Sequence, residues 1–515
     1  MIKEIELSVD PRNIHNKTHY KNEAAKKLNL SPHDIDSVVV TKRSLDARHF
    51  PPVYRLKLTV FSGEKPPGMS WSPLYKNVSV KKPVTIIGCG PAGLFAALRC
   101  IELGKKPVIY ERGKEVEKRS FDIKVLLETG NLNPESNFCF GEGGAGAYSD
   151  GKLYTRSKKR GPVSEIFNTL VYHGASEDIL IDSRPHMGSD MLPGVIRKMR
   201  ATILNNGGEI HFNSRLTGIN TKDRKVTGII INRNIEYECK KLILATGHSA
   251  RDVFELLYKS GIAIKAKPFA VGVRIEHPQY LIDKMQYNCA SENLSDLPPA
   301  VYSLNNQAEG RGIYSFCMCP GGSVIPSVTE EGYLALNGMS TSSRNSSFAN
   351  AGIVVSVFPE DYDKNEDNPL AGMEFQRELE KTAFNSAGKG YLAPAQRMTD
   401  YVENKDSIEL PLSSYHPGIK SSLLNEILPG FIDSRLKETF RVFSRRIPAF
   451  YSREALVMAI ESRTSSPVQI SRDRSTCMHV AIDGLFPSGE GAGYAGGIVS
   501  SAIDGRKCAE NAATL

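Results

Sequence analysis

The chain has 515 residues, of which 40% are hydrophobic and 24% are charged, and its formal net charge is +8. This length exceeds what one hydrophobic core supports, so we expect two or three domains. No run of about 18 apolar residues is present, which excludes a membrane-spanning helix. The opening residues, MIKEIELSVD, lack the apolar block of a signal peptide, so we expect a cytoplasmic protein with no membrane partner. The nine cysteines form no repeated CxxC pairs, which argues against a disulfide framework and against a metal site.

The first 62 residues predict a small α/β domain, because segments of period 2 flank one segment of helical spacing. The predicted order is β-α-β-β, over residues 2–9, 17–30, 37–41 and 53–61. Residues 63–80 are rich in Gly, Pro and Ser and predict a linker.

The segment 1–80 is basic, with 13 Lys and Arg against 8 Asp and Glu. A basic appendage can recruit RNA or a protein partner. Charged side chains normally lie on the surface in contact with water, and we favour that interpretation here. Tyr20, Phe50 and Tyr54 are too few aromatic residues to indicate a nucleic-acid surface, so nucleic acid is not an expected partner.

The sequence GCGPAG at residues 88–93 has the context of a dinucleotide-binding turn. It follows a buried apolar strand at 83–87, precedes a helix at 94–103, and is followed by a second apolar strand at 107–110. A strand–turn–helix–strand unit of this kind is specific, whereas GxGxxG alone is weak evidence. We therefore predict a Rossmann-like domain that begins at residue 81.

Each residue of this turn has a physical role in holding a diphosphate and a ribose. Gly88 allows the tight turn, Gly90 lets the main chain approach the diphosphate, and Gly93 lets the helix pack against the strand. The helix N-terminus offers unpaired N–H groups and the positive end of a dipole. Glu111, which closes the second strand, accepts the hydrogen bonds of a ribose diol. Its charge repels a 2′-phosphate, which argues against NADP at this site.

Three later segments favour FAD over NAD, because FAD is longer and its flavin needs contacts from distant parts of the chain. They are the Gly-rich run 141–152, the triplet ATG at 245–247 and the run GEGAGYAGGI at 489–498. A Gly-rich run lets main chain lie against a flat ring. Glu490 can accept from a ribityl hydroxyl, and the helix after it can direct its N-terminus at the flavin.

The central part of the chain differs from the segments around it. Residues 260–440 hold many short strands with Gly and Pro turns and one predicted helix at 372–384, whereas residues 441–515 return to the earlier pattern and end in a helix at 492–515. The predicted fold class is α/β. It comprises the small N-terminal βαββ domain, an inserted β-rich α+β substrate domain at 260–440, and a Rossmann-like FAD-binding domain made of 81–259 and 441–515.

Four residues are candidates for the chemistry. His248 directly follows the ATG triplet, although a lone histidine is more often a hydrogen-bonded spacer. For Arg274, a surface ion pair with Glu276 competes with binding of a substrate carboxylate. Cys317 and Cys319 lie in the unusual string CMCPGG and are either redox thiols or small apolar packing residues. We favour packing, because a regular strand places the two Cα atoms about 6.6 Å apart, near the upper end for a disulfide.

Six strings carry a resemblance to a known family: GCGPAG, GEGGAGAYSDGKL, ATGHSARD, KPFAVGVRIEHP, SFCMCPGG and PSGEGAGYAGGIVSSAIDG. Together they resemble a bacterial family of uncharacterised FAD-dependent dehydrogenases and, more distantly, the glutathione-reductase-type FAD fold. The resemblance covers most of the chain and implies FAD as cofactor, but it names no substrate. It implies cofactor roles for Gly88, Gly90, Gly93, Glu111, Gly143, Gly144, Asp150, Lys152, Thr246, Gly247, Gly489 and Glu490. The predicted FAD site also takes in their neighbours Pro91, Ala92, Arg112, Ala145, Ser149, Ala245, Gly496, Gly497 and Ile498.

The sequence has no second GxGxxG turn after a strand, so a resident pyridine-nucleotide domain is not expected. Either NAD(P)H that visits transiently or the substrate itself then exchanges electrons with the flavin. We expect an FAD-dependent oxidoreductase that exchanges a hydride between flavin N5 and a small molecule bound in the inserted domain. The alternative is a flavoprotein whose basic N-terminal domain recruits it to RNA or to a protein, so that the flavin acts on a macromolecule.

Overall fold

The computed structural model describes residues 1–48, 50–66, 68, 71–153, 161–288, 296–363, 368–388 and 390–515. Within these ranges the fold combines helices with parallel and antiparallel sheets. The strands are β1 (Ile2–Val9), β2 (Ser37–Asp46), β3 (Val53–Phe61), β4 (Pro83–Ile87), β5 (Lys106–Tyr110), β6 (Glu209–His211), β7 (Leu216–Lys222), β8 (Lys225–Ile231), β9 (Ile235–Glu238), β10 (Leu242–Leu244), β11 (Ile264–Ala266), β12 (Phe269–Pro278), β13 (Asn305–Ala308), β14 (Arg311–Cys319), β15 (Gly322–Pro326), β16 (Leu336–Ser340), β17 (Phe348–Val357), β18 (Ala393–Arg397), β19 (Ile419–Ser421), β20 (Leu456–Glu461), β21 (Val468–Ile470) and β22 (Leu485–Pro487). The helices are α1 (Lys17–Leu28), α2 (Pro91–Glu102), α3 (Val116–Thr129), α4 (Val163–Tyr172), α5 (Asp178–Ile181), α6 (Leu192–Asn205), α7 (Arg251–Lys259), α8 (Gln279–Tyr287), α9 (Ala371–Ala387), α10 (Met398–Glu403), α11 (Gly430–Arg446) and α12 (Ile498–Thr514). None of these described helices is long and apolar enough to cross a membrane.

Residues 1–61 fold as a three-stranded antiparallel sheet in the order β1-β3-β2, with α1 packed on one face. The side chain of Asn16 caps the first turn of α1 by accepting from the His19 N–H at 3.0 Å. Asn29 ends the helix in the left-handed conformation. Leu56 and Leu58 of the central strand are buried in the same cluster as Ala24 of the helix.

Residues 71–80, in the second half of the predicted linker, make specific contacts with the domain that follows. Val78 is fully buried, and its N–H donates to the main-chain oxygen of Asn206 at 2.8 Å. The ring of Trp71 meets the ring of Tyr172 edge-on, with 6.4 Å between centroids. Residues 71–80 therefore pack as part of the domain that follows, because an apolar side chain in a Pro-rich stretch still gains free energy by burial.

A five-stranded sheet in the order β22-β10-β4-β5-β6 lies at the centre of the dinucleotide-binding part, and all of its neighbouring pairs are parallel. Its inner strands are apolar and buried, as expected for a sheet covered on both faces. Helices α2 and α12 pack against each other beside it. Because parallel strands end at the same edge, the residues that follow four of the strands meet there: Gly88, Glu111, Ala245 and Ser488.

A seven-stranded sheet in the order β13-β14-β17-β12-β20-β18-β19 forms the second large layer. Only the pair β18–β19 is parallel among these described strands. The predicted end of the inserted segment at residue 440 lies inside α11, and β20 beyond it still pairs with β12 and β18. The sheet therefore extends past the predicted boundary, because the pairing of β20 with a strand far earlier in the chain leaves no mark in the local sequence pattern.

Candidate functional site

A cavity of about 410 Å³ opens at the edge where the parallel strands end. One side of it is formed by the segments after β4, β5, β10 and β22, and by the Gly-rich segment 141–152. The other side is formed by the seven-stranded sheet and its connections, through residues such as Phe316, Cys317 and Arg463. A ligand in this cavity therefore touches both large layers of the fold.

The turn after β4 has the geometry that its glycines predict. Gly88 has a φ of +99°, and a Cβ added to it would lie 2.4 Å from the Ala245 oxygen. A Cβ on Gly93 would lie 1.9 Å from the Gly88 oxygen, so α2 packs too close to β4 for any side chain there. Gly90 starts α2 without a side-chain cap and faces the cavity. The N-terminal N–H groups of a 12-residue helix are thus directed at the space where a diphosphate would lie.

Glu111 lies where predicted, after β5, and its carboxylate is also a hub of main-chain hydrogen bonds. It accepts from the N–H groups of Cys89 at 2.7 Å, Gly113 at 2.9 Å and Gly141 at 3.0 Å. A carboxylate has about four lone-pair sites, so acceptor capacity for a ribose hydroxyl remains. The side chain therefore joins three loops of the cavity wall and still lines the cavity.

Arg112, the next residue, belongs to a network of four charges at the same end of the cavity. Its guanidinium contacts Glu135 at 2.8 Å and Asp252 at 3.0 Å, and it stacks 4.0 Å above the ring centroid of Phe140. Arg215 contacts the same two carboxylates, at 3.0 Å and 2.9 Å. Arg215 directly precedes β7 and lies in no motif, so the sequence did not single it out. Asp252 of α7 ends the string ATGHSARD, but only the tertiary fold brings its carboxylate to the cavity.

The Gly-rich segment is held in place by Arg119, which the sequence did not single out. This side chain on α3 is fully buried and donates to five main-chain oxygens. The five acceptors are Asn137, Phe138, Gly141, Glu142 and Gly144. The last three belong to the Gly-rich segment, and their oxygens lie 3.3 Å, 2.8 Å and 2.9 Å from Nη1. A guanidinium presents several donors in a fixed plane, which suits it to fix an irregular loop.

Asp150 and Lys152 close the Gly-rich segment and face the seven-stranded sheet. Asp150 is buried and accepts from the guanidinium of Arg344 at 2.7 Å and 3.2 Å. The ammonium of Lys152 donates to the main-chain oxygen of Met318 and lies 3.6 Å from the Asp150 carboxylate. These contacts join the loop to β14, so a cationic side chain lines the cavity beside CMCPGG.

The ATG triplet after β10 lines the cavity, and His248 lines it as well. Burial, together with the neighbouring Arg463 guanidinium, lowers the pKa of His248 to about 4. The imidazole is therefore neutral at neutral pH, and it can offer one donor and one acceptor to a ligand. Arg463 itself is paired with buried Glu380 at 2.9 Å.

The run 489–498 brings a second helix N-terminus to the cavity. Gly497 precedes α12 with a φ of +127° and supplies no side-chain cap, and Ile498 lines the cavity. Glu490 also lines the cavity. Burial raises its pKa to about 7, against the lowering effects of the Gly497 main chain and of Lys267. The predicted helix at 492–515 begins only at Ile498, because the Gly pair before it takes up a non-helical conformation.

Three of the four candidate reacting residues lie on or behind the sheet side of the cavity. Cys317 lines the cavity, whereas Cys319 and Arg274 are fully buried behind it. Of the two interpretations of Arg274, the surface ion pair with Glu276 is wrong, because the Arg274 side chain is fully buried. Arg274 pairs with Glu461 at 3.1 Å, because β20 lies next to β12 and places that carboxylate within reach.

Most residues of the predicted FAD site line this one cavity. The exceptions are Gly93 and Gly143, which lie behind its wall and set the packing of α2 and of the Gly-rich segment. The residues that line it are Gly88, Gly90, Pro91, Ala92, Glu111, Arg112, Gly144, Ala145, Ser149, Asp150, Lys152, Ala245, Thr246, Gly247, Gly489, Glu490, Gly496, Gly497 and Ile498.

These residues fit FAD in three physical respects. Two uncapped helix N-termini face one cavity, which suits the diphosphate and the electron-rich edge of a flavin. A Cβ on Gly90 would meet only the main chain of Gly144, at 3.7 Å, so the turn leaves space in front of it. Carboxylates after β5 and β22, Glu111 and Glu490, are placed for ribose and ribityl hydroxyls. In the described part of the chain, no cluster of three His, Cys, Asp or Glu could hold a metal ion.

Comparison with known proteins gives the family. Residues 268–464 match the family described as "FAD-dependent protein, C-terminal domain-like", and residues 1–61 match a domain of unknown function. An uncharacterised protein of Clostridium beijerinckii is 42% identical in an alignment of 508 residues, with 94% of this chain and 94% of that protein covered.

Solved structures show weaker similarity. Glycine oxidase from Bacillus cereus is 13% identical, with 84% of this chain and 94% of that chain covered and a TM-score of 0.31. A flavocytochrome c3 fumarate reductase is 10% identical, with 84% and 78% covered and a TM-score of 0.33. At TM-scores this low, the similarity says nothing about the reaction.

Proposed function

Because this chain belongs to the same family as the Clostridium beijerinckii protein, a family of uncharacterised FAD-dependent proteins, we propose that it is an FAD-dependent oxidoreductase acting on a small molecule. FAD is its cofactor. The observation that supports the proposal is the two-sided cavity, in which cofactor-binding segments form one side and the seven-stranded sheet forms the other. A second molecule bound against the sheet would lie beside the flavin, as hydride exchange requires.

The chain's own residues would hold the cofactor through main-chain groups and two carboxylates. The N-terminus of α2 binds the diphosphate, Glu111 the adenosine ribose, and Glu490 the ribityl chain. The N-terminus of α12 favours negative charge at the adjoining edge of the flavin. FAD, when bound, exchanges a hydride at N5 of its ring system.

The sheet side supplies polar groups that can orient a substrate. Arg463 is buried and its charge is neutralised by Glu380 of α9, so it is a fixed hydrogen-bond donor rather than a mobile cation. His248 is neutral at neutral pH, so its imidazole can donate one hydrogen bond and accept one. Phe316 and Asn337 complete this side of the cavity with an apolar face and an amide. These side chains form part of the cavity wall and exclude water from the reacting atoms.

The alternative, recruitment of the flavoprotein to RNA or a protein by residues 1–62, has no such support. Arg43 of this unit is engaged by the chain itself, with Asp182 at 2.6 Å and Asp178 at 2.9 Å. The unit is thereby docked on α5 and the turn after it, and part of its positive charge is neutralised.

Anaerobic mixing tests the proposal. Purified protein with its FAD is mixed separately with NADH, NADPH and a panel of small metabolites, and the flavin absorbance is followed in time. We expect one class of compound to bleach the flavin rapidly and saturably. His248→Ala should slow the bleaching without releasing FAD, whereas Glu236→Gln on the exposed strand β9 should change neither. A protein that retains FAD but is reduced by no panel member and by neither pyridine nucleotide would contradict a small-molecule oxidoreductase.

A further inference from the structure

Two thiols lie one behind the other in the sheet side of the cavity. Cys317 is half-buried and lines the cavity, while Cys319 is fully buried directly behind it. Their sulfur atoms are 4.0 Å apart, and the Cys319 thiol also donates to the main-chain oxygen of Cys317 at 3.2 Å. A short movement of one side chain would bring the two sulfurs to bonding distance.

A β-bulge produces this arrangement. The register between β14 and β17 shifts between Phe316 and Cys319, and Cys317 adopts a φ of +44°. A regular strand would hold the two side chains parallel on one face, and that geometry makes a disulfide unfavourable. The bulge instead turns the two sulfurs toward each other, and bulges commonly re-aim a side chain beside an active site.

The surroundings favour a thiolate on the cavity side. The pKa of Cys317 is lowered by the hydrogen bond from Cys319; burial opposes this effect, and the nearby cations Lys152 and Arg274 add to it. Lys152 comes from the Gly-rich segment, and Arg274 from β12 donates to both the Cys317 oxygen at 2.9 Å and the Cys319 sulfur at 3.5 Å. The negative groups nearby, Asp150 and Glu461, are themselves paired with arginines.

We propose that Cys317 and Cys319 form a redox-active dithiol that exchanges two electrons with the flavin in the adjoining cavity. In the oxidising direction the S–H bond of Cys319 breaks and one S–S bond forms with the Cys317 thiolate. The two electrons and the proton pass to the oxidised flavin, which leaves a disulfide and the anionic reduced flavin. The reverse direction restores the thiolate and the thiol. This rests on FAD in the cavity, as the proposed function does, and gives the flavin an electron partner within the chain.

Packing alone does not account for the pair. The place of the pair in the cavity wall distinguishes it from other buried cysteines. Cys477 also has a positive φ and Cys508 also has a guanidinium donor at its sulfur, but neither lines the cavity as Cys317 does. The two cations and the cavity exposure are the features that mark reactive thiols rather than inert ones.

Anaerobic reductive titration of the FAD-loaded protein tests the proposal after mild oxidation with diamide. The oxidised wild type should take up four electrons per FAD, because the flavin and the disulfide each accept two. Cys317→Ser and Cys319→Ser should each take up two, and Cys239→Ser, a buried cysteine outside the cavity, should take up four. If the wild type and the three variants all took up two electrons per FAD, the proposed redox-active dithiol would be contradicted.

A second measurement identifies the disulfide directly and does not count electrons. After diamide treatment and alkylation under denaturing conditions, mass spectrometry should find residues 317 and 319 protected as one internal disulfide, and find both alkylated after reduction by dithionite through FAD. Free, alkylated thiols before reduction would contradict the proposal. FAD content is measured separately by absorbance after denaturation, so loss of the cofactor, which would count against the proposed function, is distinguished from failure of the dithiol.

Discussion

At the scale of single residues, two carboxylates in the cavity carry different functions because their surroundings differ. Glu111 accepts hydrogen bonds from three main-chain N–H groups, which fix its carboxyl group in place. Desolvation raises the pKa of Glu490 to about 7. Glu490 therefore changes charge within the neutral pH range.

Glu111→Ala should weaken FAD binding by about 1.5–3 kcal/mol, which is roughly a 10- to 150-fold rise in Kd, because hydrogen bonds to a charged acceptor are lost. FAD titration followed by flavin fluorescence measures it. Glu209→Gln on the neighbouring strand β6 is the control and should bind FAD as the wild type does. If Glu111→Ala retained full affinity, the ribose contact would be misassigned.

Glu490 should make the stability of the apoprotein depend on pH. Its folded-state pKa of about 7 exceeds the ordinary value of 4.5, so the stability it contributes is fully present below pH 4.5 and is lost as the pH rises through 7. Relative to Glu490→Gln, the wild type should lose at most about 3 kcal/mol between pH 5 and 8. Urea unfolding at several pH values measures this difference. The unfolding free energy of Glu236→Gln should depend on pH as that of the wild type does. If the difference in unfolding free energy between wild type and Glu490→Gln stayed the same at every pH, the raised pKa of Glu490 would be refuted.

At the scale of elements, the cavity depends on helix ends and on one loop that has little structure of its own. The loop 141–152 contains a single short 3-10 helix, Gly144–Tyr148, and its shape is imposed by Arg119 of α3. The helices α2 and α12 reach the cavity only with their uncapped first turns. A change far from the ligand can therefore disturb the site by moving these elements.

Arg119→Met should lower the free energy of unfolding by about 3 kcal/mol or more and should also weaken FAD binding, because five buried main-chain oxygens lose their donor. Chemical denaturation and FAD titration measure the two effects. The matched control is Lys118→Met on the same helix, where the side chain is exposed and only an ion pair with Glu115 is lost. A change within about 0.5 kcal/mol is expected there, and equal effects of both variants would show that Arg119 has no special role in the loop.

At the scale of the whole molecule, the N-terminal unit has its own sheet and core, and the cavity lies entirely outside it. Its link to the rest runs through Arg43 and through the packed segment that contains Val78. The ion pairs of Arg43 and the packed segment around Val78 hold this unit against the rest of the chain, so it is a docked domain.

Deletion of residues 1–61 should leave FAD binding intact, whereas deletion of 1–80 should lower stability further. The second deletion removes Val78, and exposing the site of a buried apolar side chain costs about 1.5–3 kcal/mol. Thermal unfolding and FAD content of the two proteins are compared side by side. A folded protein that lacks only residues 1–61 and cannot hold FAD would show that the unit contributes to the site.

The amino-acid pattern was enough to predict the dinucleotide-binding turn, its strand and helix, and the cofactor, because glycine, proline and carboxylate positions there obey local backbone rules. It also located the segments 141–152, 245–247 and 489–498, whose glycine content has no use in a core. The folded structure shows that these segments share one cavity with the seven-stranded sheet. It also shows that Arg119 holds the Gly-rich segment, that Arg215 lines the cavity, and that Arg274 pairs with Glu461. It also revealed the bulge that faces Cys317 toward Cys319. These features depend on contacts between residues far apart in the chain, and hydrophobic periodicity reports only on neighbours along it.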